Sequence, residues 1–466
     1  MTIQQKCIAY IVSFYMLYTE NNNNEVQMTK KYYVLTMLII LCFGLISEEL
    51  TLDQAKKMLI EKNLDYKSSL SNVKSAEEDS KSSFYNFLPK GSLTANHTPE
   101  VLDGEESTRY GLTINQPILS NGNIFYSNKI KKESFKISDE RNRQKRIELL
   151  IGLEQLYYDV LEATQNYQIA ERAYNVSIKH NETGVIKLTS GILSKDQFLN
   201  LEVDVANKEL TLIERENSLA IKRENLKKYL DSEVDYTLAD VAFEEVEDIM
   251  SQLVAISSDA KTELYNKLCS YSEENNSQLI ISDYNNKLAA YNVSMNKMSY
   301  LPSLNLSYNV NWAENPITSD MEDQSTISLT ASLPIFPLMN THHNIKSVKY
   351  KQKESQYSLM SLQQSTKINI KNSFDSFLLS LKRINLSSTS LELRREIFKQ
   401  KEAKFYASIL SVEDMLDAEM ELIQANEQYV STLYGYLKME ATLRKTIGIE
   451  EKKTLDDIII NILAEK

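Results

Sequence analysis

The chain has 466 residues, with 52 Lys and Arg against 64 Asp and Glu for a formal net charge of −12. An acidic chain with no basic stripe excludes a nucleic-acid binder, and 25% charged with 42% hydrophobic residues is too balanced for disorder. With only 10 Gly and 7 Pro, none of the Pro between Pro117 and Pro302 and none of the Gly between Gly191 and Gly435, the composition permits very long helices.

The N-terminus reads as an export signal: Lys30 and Lys31, an apolar run over 32–46, then Ser47 and the acidic Glu48 and Glu49. Met28 sits where such a signal would start, so residues 1–47 are expected to be an upstream extension plus signal peptide. A rival reading keeps 8–18 as a first apolar segment, and a lipoprotein reading would use Cys42, although bulky Leu41 precedes it. Of Cys7, Cys42 and Cys269, only Cys269 would survive processing, so no intrachain disulfide or cysteine metal site is expected. Past residue 47 no segment is a long apolar helix. An exported chain of that kind is free in the periplasm, secreted, or held in the outer membrane by strands.

Residues 51–87 read as helix and stop at Leu88-Pro89, since Pro turns the preceding residue extended. Two weak strands follow, one through Leu93 and Ala95, the other through Tyr110, Leu112 and Ile114 and running into Pro117. A long helix spans about 123–180, a turn lies at Gly191, and a return helix carries Phe198, Val205, Leu212, Leu219 and Leu226 at intervals of seven. Residues 231–260 break the pattern as an acidic linker. The whole unit then repeats over 261–448, displaced by 217 residues. A helix over 262–300 stops at Leu301-Pro302, and Leu304, Leu306, Tyr308, Val310 and Trp312 alternate with polar residues for one strand. Ile327, Leu329, Ala331 and Leu333 do so for a second, which runs into Pro334. A helix of about 344–405, a turn at Ser408 and a return helix with Met415, Leu422, Tyr429, Tyr436 and Leu443 complete it, and 449–466 forms a tail. Each return helix also shows a second seam, Leu199, Ala206, Ile213 and Ala220 matched by Leu416, Ile423, Val430 and Leu437, so each is built for neighbours on two sides.

The alternating strands have the length and the interfacial Trp312 of membrane-crossing strands. Four strands cannot close a barrel, and an open edge in lipid leaves backbone groups unpaired at several kcal/mol each. The chain must borrow strands from copies of itself, and three copies supply twelve. The expected fold is therefore mainly α, with long antiparallel helices forming an α-barrel and four strands per protomer in a trimeric 12-stranded β-barrel, on an internal two-fold repeat. The domains are 1–47 (extension and signal), 48–230 (first repeat), 231–260 (linker), 261–448 (second repeat) and 449–466 (C-terminal tail).

This order, written twice, resembles the TolC-like outer-membrane efflux proteins over about 50–448. The sharpest shared motif is the turn: Lys187 with Gly191, Ile192, Leu193 and Ser194, then Lys404 with Ser408, Ile409, Leu410 and Ser411. Lys stands where Arg is common in the family, and Ser408 where Gly is common. Tyr158-Asp159 and Phe374-Asp375 look like its aromatic-Asp pattern. The resemblance implies a homotrimer in outer-membrane lipid that reaches into the periplasm, a passive channel-tunnel exporting small molecules or proteins. Its turns would be contact tips for a periplasmic adaptor serving an inner-membrane transporter, as in type I secretion.

Asp414 and Asp417 share a helix face just past the second tip, and Asp196 is the counterpart at the first. The family likeness implies a cation-sensitive entrance there; read alone, they are solvated acids where a helix dipole favours them. Ile192-Leu193 and Ile409-Leu410 are adaptor contacts on one reading and tip packing on the other. His342-His343 is the only histidine pair and has no acidic partners at metal-ligand spacing, so it reads as exposed residues near the strand–helix junction. No phosphate loop or nucleophile elbow is present, and neither an enzyme nor a cofactor is expected. The rival from another class is an exported coiled-coil scaffold without a pore, which shares the heptads but does not explain the strands.

Overall fold

The computed structural model describes residues 49–99, 107–241, 253, 257–314, 321–333 and 338–464. The expected export signal, Cys7, Cys42, Pro334 and most of the linker over 242–256 lie outside the described residues. Two compact units are present. In the smaller, β1 (Glu49–Leu50) pairs parallel with β4 (Thr237–Leu238). The larger holds all the other elements.

The first repeat opens with α1 (Leu52–Lys62) and α2 (Leu64–Phe84), and the second with α5 (Ser258–Asn275) and α6 (Ser277–Lys297). The expected single helices over 51–87 and 262–300 are therefore each broken once. The cause is an asparagine. Asn63 Oδ1 accepts the amide of Tyr66 at 2.9 Å, and Asn276 Oδ1 accepts those of Gln278 and Leu279 at 2.9 and 3.2 Å, so each caps a new helix where the old one ends. A 3₁₀ turn then leads into each Leu-Pro stop.

The strands are β2 (Lys90–Thr98), β3 (Ser107–Ser120), β5 (Ser303–Glu314) and β6 (Met321–Ser332), paired antiparallel in the order β2-β3-β5-β6. Contrary to the expected stop at Pro117, β3 continues through it. The register shifts between Pro117 and Leu119, the kind of irregularity at which a residue lacking an N–H is tolerated. The register aligns the two repeats' apolar faces: Ile114 lies opposite Tyr308, which lies opposite Ile327, and Leu93 opposite Leu112, which lies opposite Val310. β2 and β6 are the outer strands, and β2 is exposed along its whole length.

The long helices are α3 (Asn123–Thr189, 67 residues) and α7 (Leu338–Tyr406, 69 residues), each about 100 Å long and the first longer than its expected end at 180. The return helices α4 (Lys195–Leu230) and α8 (Val412–Ile447) have 36 residues each, and α9 (Lys452–Ala464) forms the tail. Side by side, the helices run α2, α3, α6, α7 towards the sheet and α4, α3, α8, α7 towards the turns. α3 and α8 are interior; α4 and α7 are edges. Arg444 fixes α8 to α3 below the repeat's end, giving one nitrogen to Glu440 at 2.7 Å and another to Glu154, with all three groups buried. The paired acids outweigh the cost of burying its guanidinium and hold its pKa above the ordinary value.

Candidate functional site

The turns at the far ends of the long helices bring the sequence-expected residues together. Ser190 caps α3, and Gly191 adopts φ +70°, a left-handed conformation suited to glycine. Ile192 and Leu193 then return their amides to the Lys187 carbonyl at 2.9 and 3.2 Å. The second turn is the same device with a side chain at the strained place: Ser408 holds φ +58°, and the Ile409 amide bonds the Lys404 carbonyl at 2.9 Å. Ser194 and Ser411 cap the return helices, accepting the amides of Gln197 at 3.4 Å and Asp414 at 3.1 Å.

The structure divides the aliphatic pairs. Ile192 and Ile409 are 60% and 75% exposed, whereas Leu193 and Leu410 turn inward onto a cluster of Leu201, Phe405, Val412 and Met415. One leucine of each pair is packing, and the isoleucine is the free knob. The lysines divide too. Lys404 is exposed, while Lys187 is buried with its ammonium on the Phe405 carbonyl and 4.1 Å from the Phe405 ring centre. Lys187 thus locks the first tip onto the second. Burial pulls its pKa below the ordinary lysine value.

Asp414, Asp417 and Asp196 are all exposed. Asp414 accepts the Ser411 hydroxyl at 2.7 Å, a cap contact, and keeps its remaining face to solvent. Contact with the Ser194 hydroxyl holds the Asp196 carboxyl below its ordinary pKa. Polar pairs tie the hairpins together, Arg215 with Glu427 at 2.7 Å and Asn200 with Glu413 at 3.2 Å, and Arg394 with Glu421 ties α7 to α8 within the second. The aromatic-Asp positions are part of this lattice. Asp159 takes Lys222 at 2.9 Å and also Lys438, and Asp375 takes Lys261 at 2.7 Å. Burial works against the Asp159 charge, but the two lysines overcome it and hold its pKa low. His342 and His343 are exposed and meet edge to face with ring centres 5.6 Å apart.

His180 is a residue that the sequence reading passed over as a helix end. It is fully buried on α3 between Glu402 of α7 and Glu419 of α8, 3.3 and 3.4 Å away. The available signal was a histidine one heptad before Lys187, on the same helix face.

The site thus consists of long antiparallel helices joined by exposed turns, leading into an antiparallel sheet whose outer strands β2 and β6 are open edges. Residues 268–449 match the family "Outer membrane efflux protein". The outer membrane protein TolC of Salmonella enteritidis is 21% identical over 205 residues, which span 42% of this chain and 42% of TolC. Among solved structures, the channel CusC superposes with a TM-score of 0.73 at 14% identity, covering 87% of this chain and 94% of its own. The CmeC outer membrane channel of Campylobacter jejuni gives 0.70 at 16%, covering 88% and 89%. The second repeat is thus similar in sequence to the outer membrane efflux proteins, and the fold is similar to that of the outer membrane channels CusC and CmeC. These relatives are channels rather than enzymes, and the sheet is what a poreless coiled-coil scaffold would not require.

Proposed function

We propose that three copies of this chain close into a passive duct through the outer membrane and periplasm, conducting cargo delivered by partners. One observation carries the reading: the four-stranded sheet has β2 and β6 as open edges, and alternation of strand directions lets β6 of one copy pair antiparallel with β2 of the next. In lipid such edges must be paired. The helices support the same closure, since edge helix α7 exposes Leu379, Leu386 and Leu393 at intervals of seven, and edge helix α4 exposes Leu199, Leu210 and Ile213. The purified chain should run as a trimer in detergent and insert ion-conducting pores into planar bilayers; a water-soluble monomer without conductance overturns the proposal.

The tips are the contact surface for a periplasmic adaptor that links the duct to an inner-membrane transporter. Gly191, Ile192, Ser194, Lys404, Ser408, Ile409 and Ser411 form that surface, with Lys187, Leu193 and Leu410 holding it from behind. Asp414 and Asp417 line the entrance with Asp196 at its margin, six carboxylates from the second tips of three copies. Replacing both Asp414 and Asp417 with Ala should raise the divalent-cation concentration that half-blocks single-channel current by about tenfold; unchanged block removes these acids from the entrance.

A further inference from the structure

Outside the contacts already assigned, the cluster around His180 is unlike the rest of the helix lattice. Its Nε2 stands 3.3 Å from Glu402 Oε1 on α7, and its Nδ1 3.4 Å from Glu419 Oε2 on α8. One imidazole of the first hairpin therefore meets a carboxylate from each helix of the second. Asp204 and Lys208, 3.9 Å apart on α4, are the charged groups facing from that side. The Phe405 and Tyr406 rings lie 6.0 and 6.1 Å away, and the Lys187 ammonium, further along α3, lies 4.1 Å from the Phe405 ring centre. Glu419 is 3% exposed, and among the described residues neither of its carboxylate oxygens has an aligned hydrogen bond. At the corresponding place in the second repeat stands Ile397, 41% exposed, so the device is built once per chain and only between the hairpins.

The ring's chemistry makes this arrangement dependent on a proton. A neutral imidazole has one N–H and one lone pair, whereas both of its nitrogens face carboxylates here. Only the imidazolium offers a donor to each. Without the second proton one nitrogen's lone pair faces a carboxylate, buried Glu419 in one tautomer or partly exposed Glu402 in the other, and that helix of the second hairpin loses its donor. We propose that His180 is a proton-operated latch, its imidazolium tying the first hairpin to both helices of the second and its deprotonation releasing the second hairpin's end. The consequence for opening of the duct rests on the channel reading above.

The electrostatics agree with the geometry. Burial opposes the charge on His180, but Glu419 and Glu402 outweigh it and hold the ring above the ordinary histidine value. A raised folded-state value means that the latched state keeps its full stabilisation below the ordinary histidine pKa. It loses that stabilisation as pH rises through the raised one. Asp204 is also raised, by burial and against the pull of Lys208, so it adds a dependence of the same sign that a control must separate. The Tyr406 phenol is pushed upward by burial and stays neutral throughout.

Hydrogen exchange on the full chain in lipid nanodiscs tests the latch directly. Between about pH 5.5 and about pH 8.5, opening of the tip amides over 181–195 and 403–415, corrected for intrinsic exchange, should increase about tenfold. His180→Gln should abolish that step, Glu419→Gln should give the open behaviour at the lower pH, and Asp204→Asn should leave the step in place. Wild-type protection that does not change with pH overturns the latch, as does a step that persists in His180→Gln. Planar-bilayer recording separates this from the channel reading. Current without a pH step in exchange strikes the latch alone. A pH step in exchange with no current at any pH supports the latch and strikes the channel.

Discussion

The return helices α4 and α8 have the same length and the same two heptad seams, yet they occupy different environments. On the first seam, Phe198, Leu219 and Leu226 of α4 and Met415, Tyr436 and Leu443 of α8 are all buried. On the second seam the helices part: α8 has Leu437 1% exposed with Leu416, Ile423 and Val430 half-buried, while α4 leaves Leu199 and Ile213 at 45% and 56%. α8 has α7 on one side and α3 on the other; α4 packs chiefly on α3 and meets α8 and α1 only locally. A duplicated sequence thus became one interior helix and one edge helix. In the proposed trimer this uncovered seam is where the next copy would seat, because apolar residues repeated at heptad spacing exceed what a lone surface needs.

The largest effect that can break this comparison is at Ile213. Ile213→Asp should leave the monomer's helix content intact and abolish the trimer on native mass spectrometry, since assembly would bury a charge at a cost of several kcal/mol per copy. Its counterpart Val430 is half-buried within the protomer, so Val430→Asp should lower the melting temperature of the chain itself. Equal behaviour of the two variants would erase the distinction between edge and interior.

The next effect lies at Arg444 and its repeat counterpart Lys227. Arg444→Met leaves Glu154 and Glu440 buried without their shared cation and should cost about 3–5 kcal/mol in denaturant unfolding. Lys227 lies towards the edge and pairs with exposed Glu224 at 2.8 Å, so Lys227→Met should cost less than about 1 kcal/mol.

The tail supplies a pH dependence. Burial pushes the Asp456 carboxyl of α9 up to about 6, with Lys452 opposing and Glu440 adding to the rise. Its folded value exceeds its unfolded one, so stability is greatest in acid and falls as pH rises through about 6. Asp456→Asn should gain about 1–2 kcal/mol at neutral pH once partial exposure is discounted, and nothing near pH 4. Thermal melts at the two pH values check it.

The smallest effect sharpens the comparison of the tips. Ser408→Gly should stabilise by up to about 1 kcal/mol, because Ser408 carries a side chain at positive φ, and Gly191→Ala should destabilise by a similar amount. Opposite shifts in melting temperature are expected; shifts of the same sign would contradict the matched turn geometry.

The parts of the molecule legible in the sequence were those governed by local periodicity. Heptads at Phe198 and Met415, the period-two run from Leu304 to Trp312 and the Leu-Pro stops each state a local conformation, and duplication at a constant offset made each reading check the other. The asparagine breaks at Asn63 and Asn276 were also local, but an Asn inside a helical pattern reads equally as a surface residue or as a cap. The passage of β3 through Pro117 depended on pairing with β5, which periodicity does not contain. At the tips the sequence identified the turns but not their division of labour. Ile192 and Leu193 are near-equal hydrophobes in a row, and only the neighbouring hairpin's Phe405, Val412 and Met415 determine which one is covered. The pattern of hydrophobic and polar residues along one chain determined the helices, the strands and the two-fold plan. Which lysine is buried, which seam stays open and which histidine sits between two carboxylates were decided by tertiary structure, because burial and charge pairing depend on residues some 200 positions away in the chain.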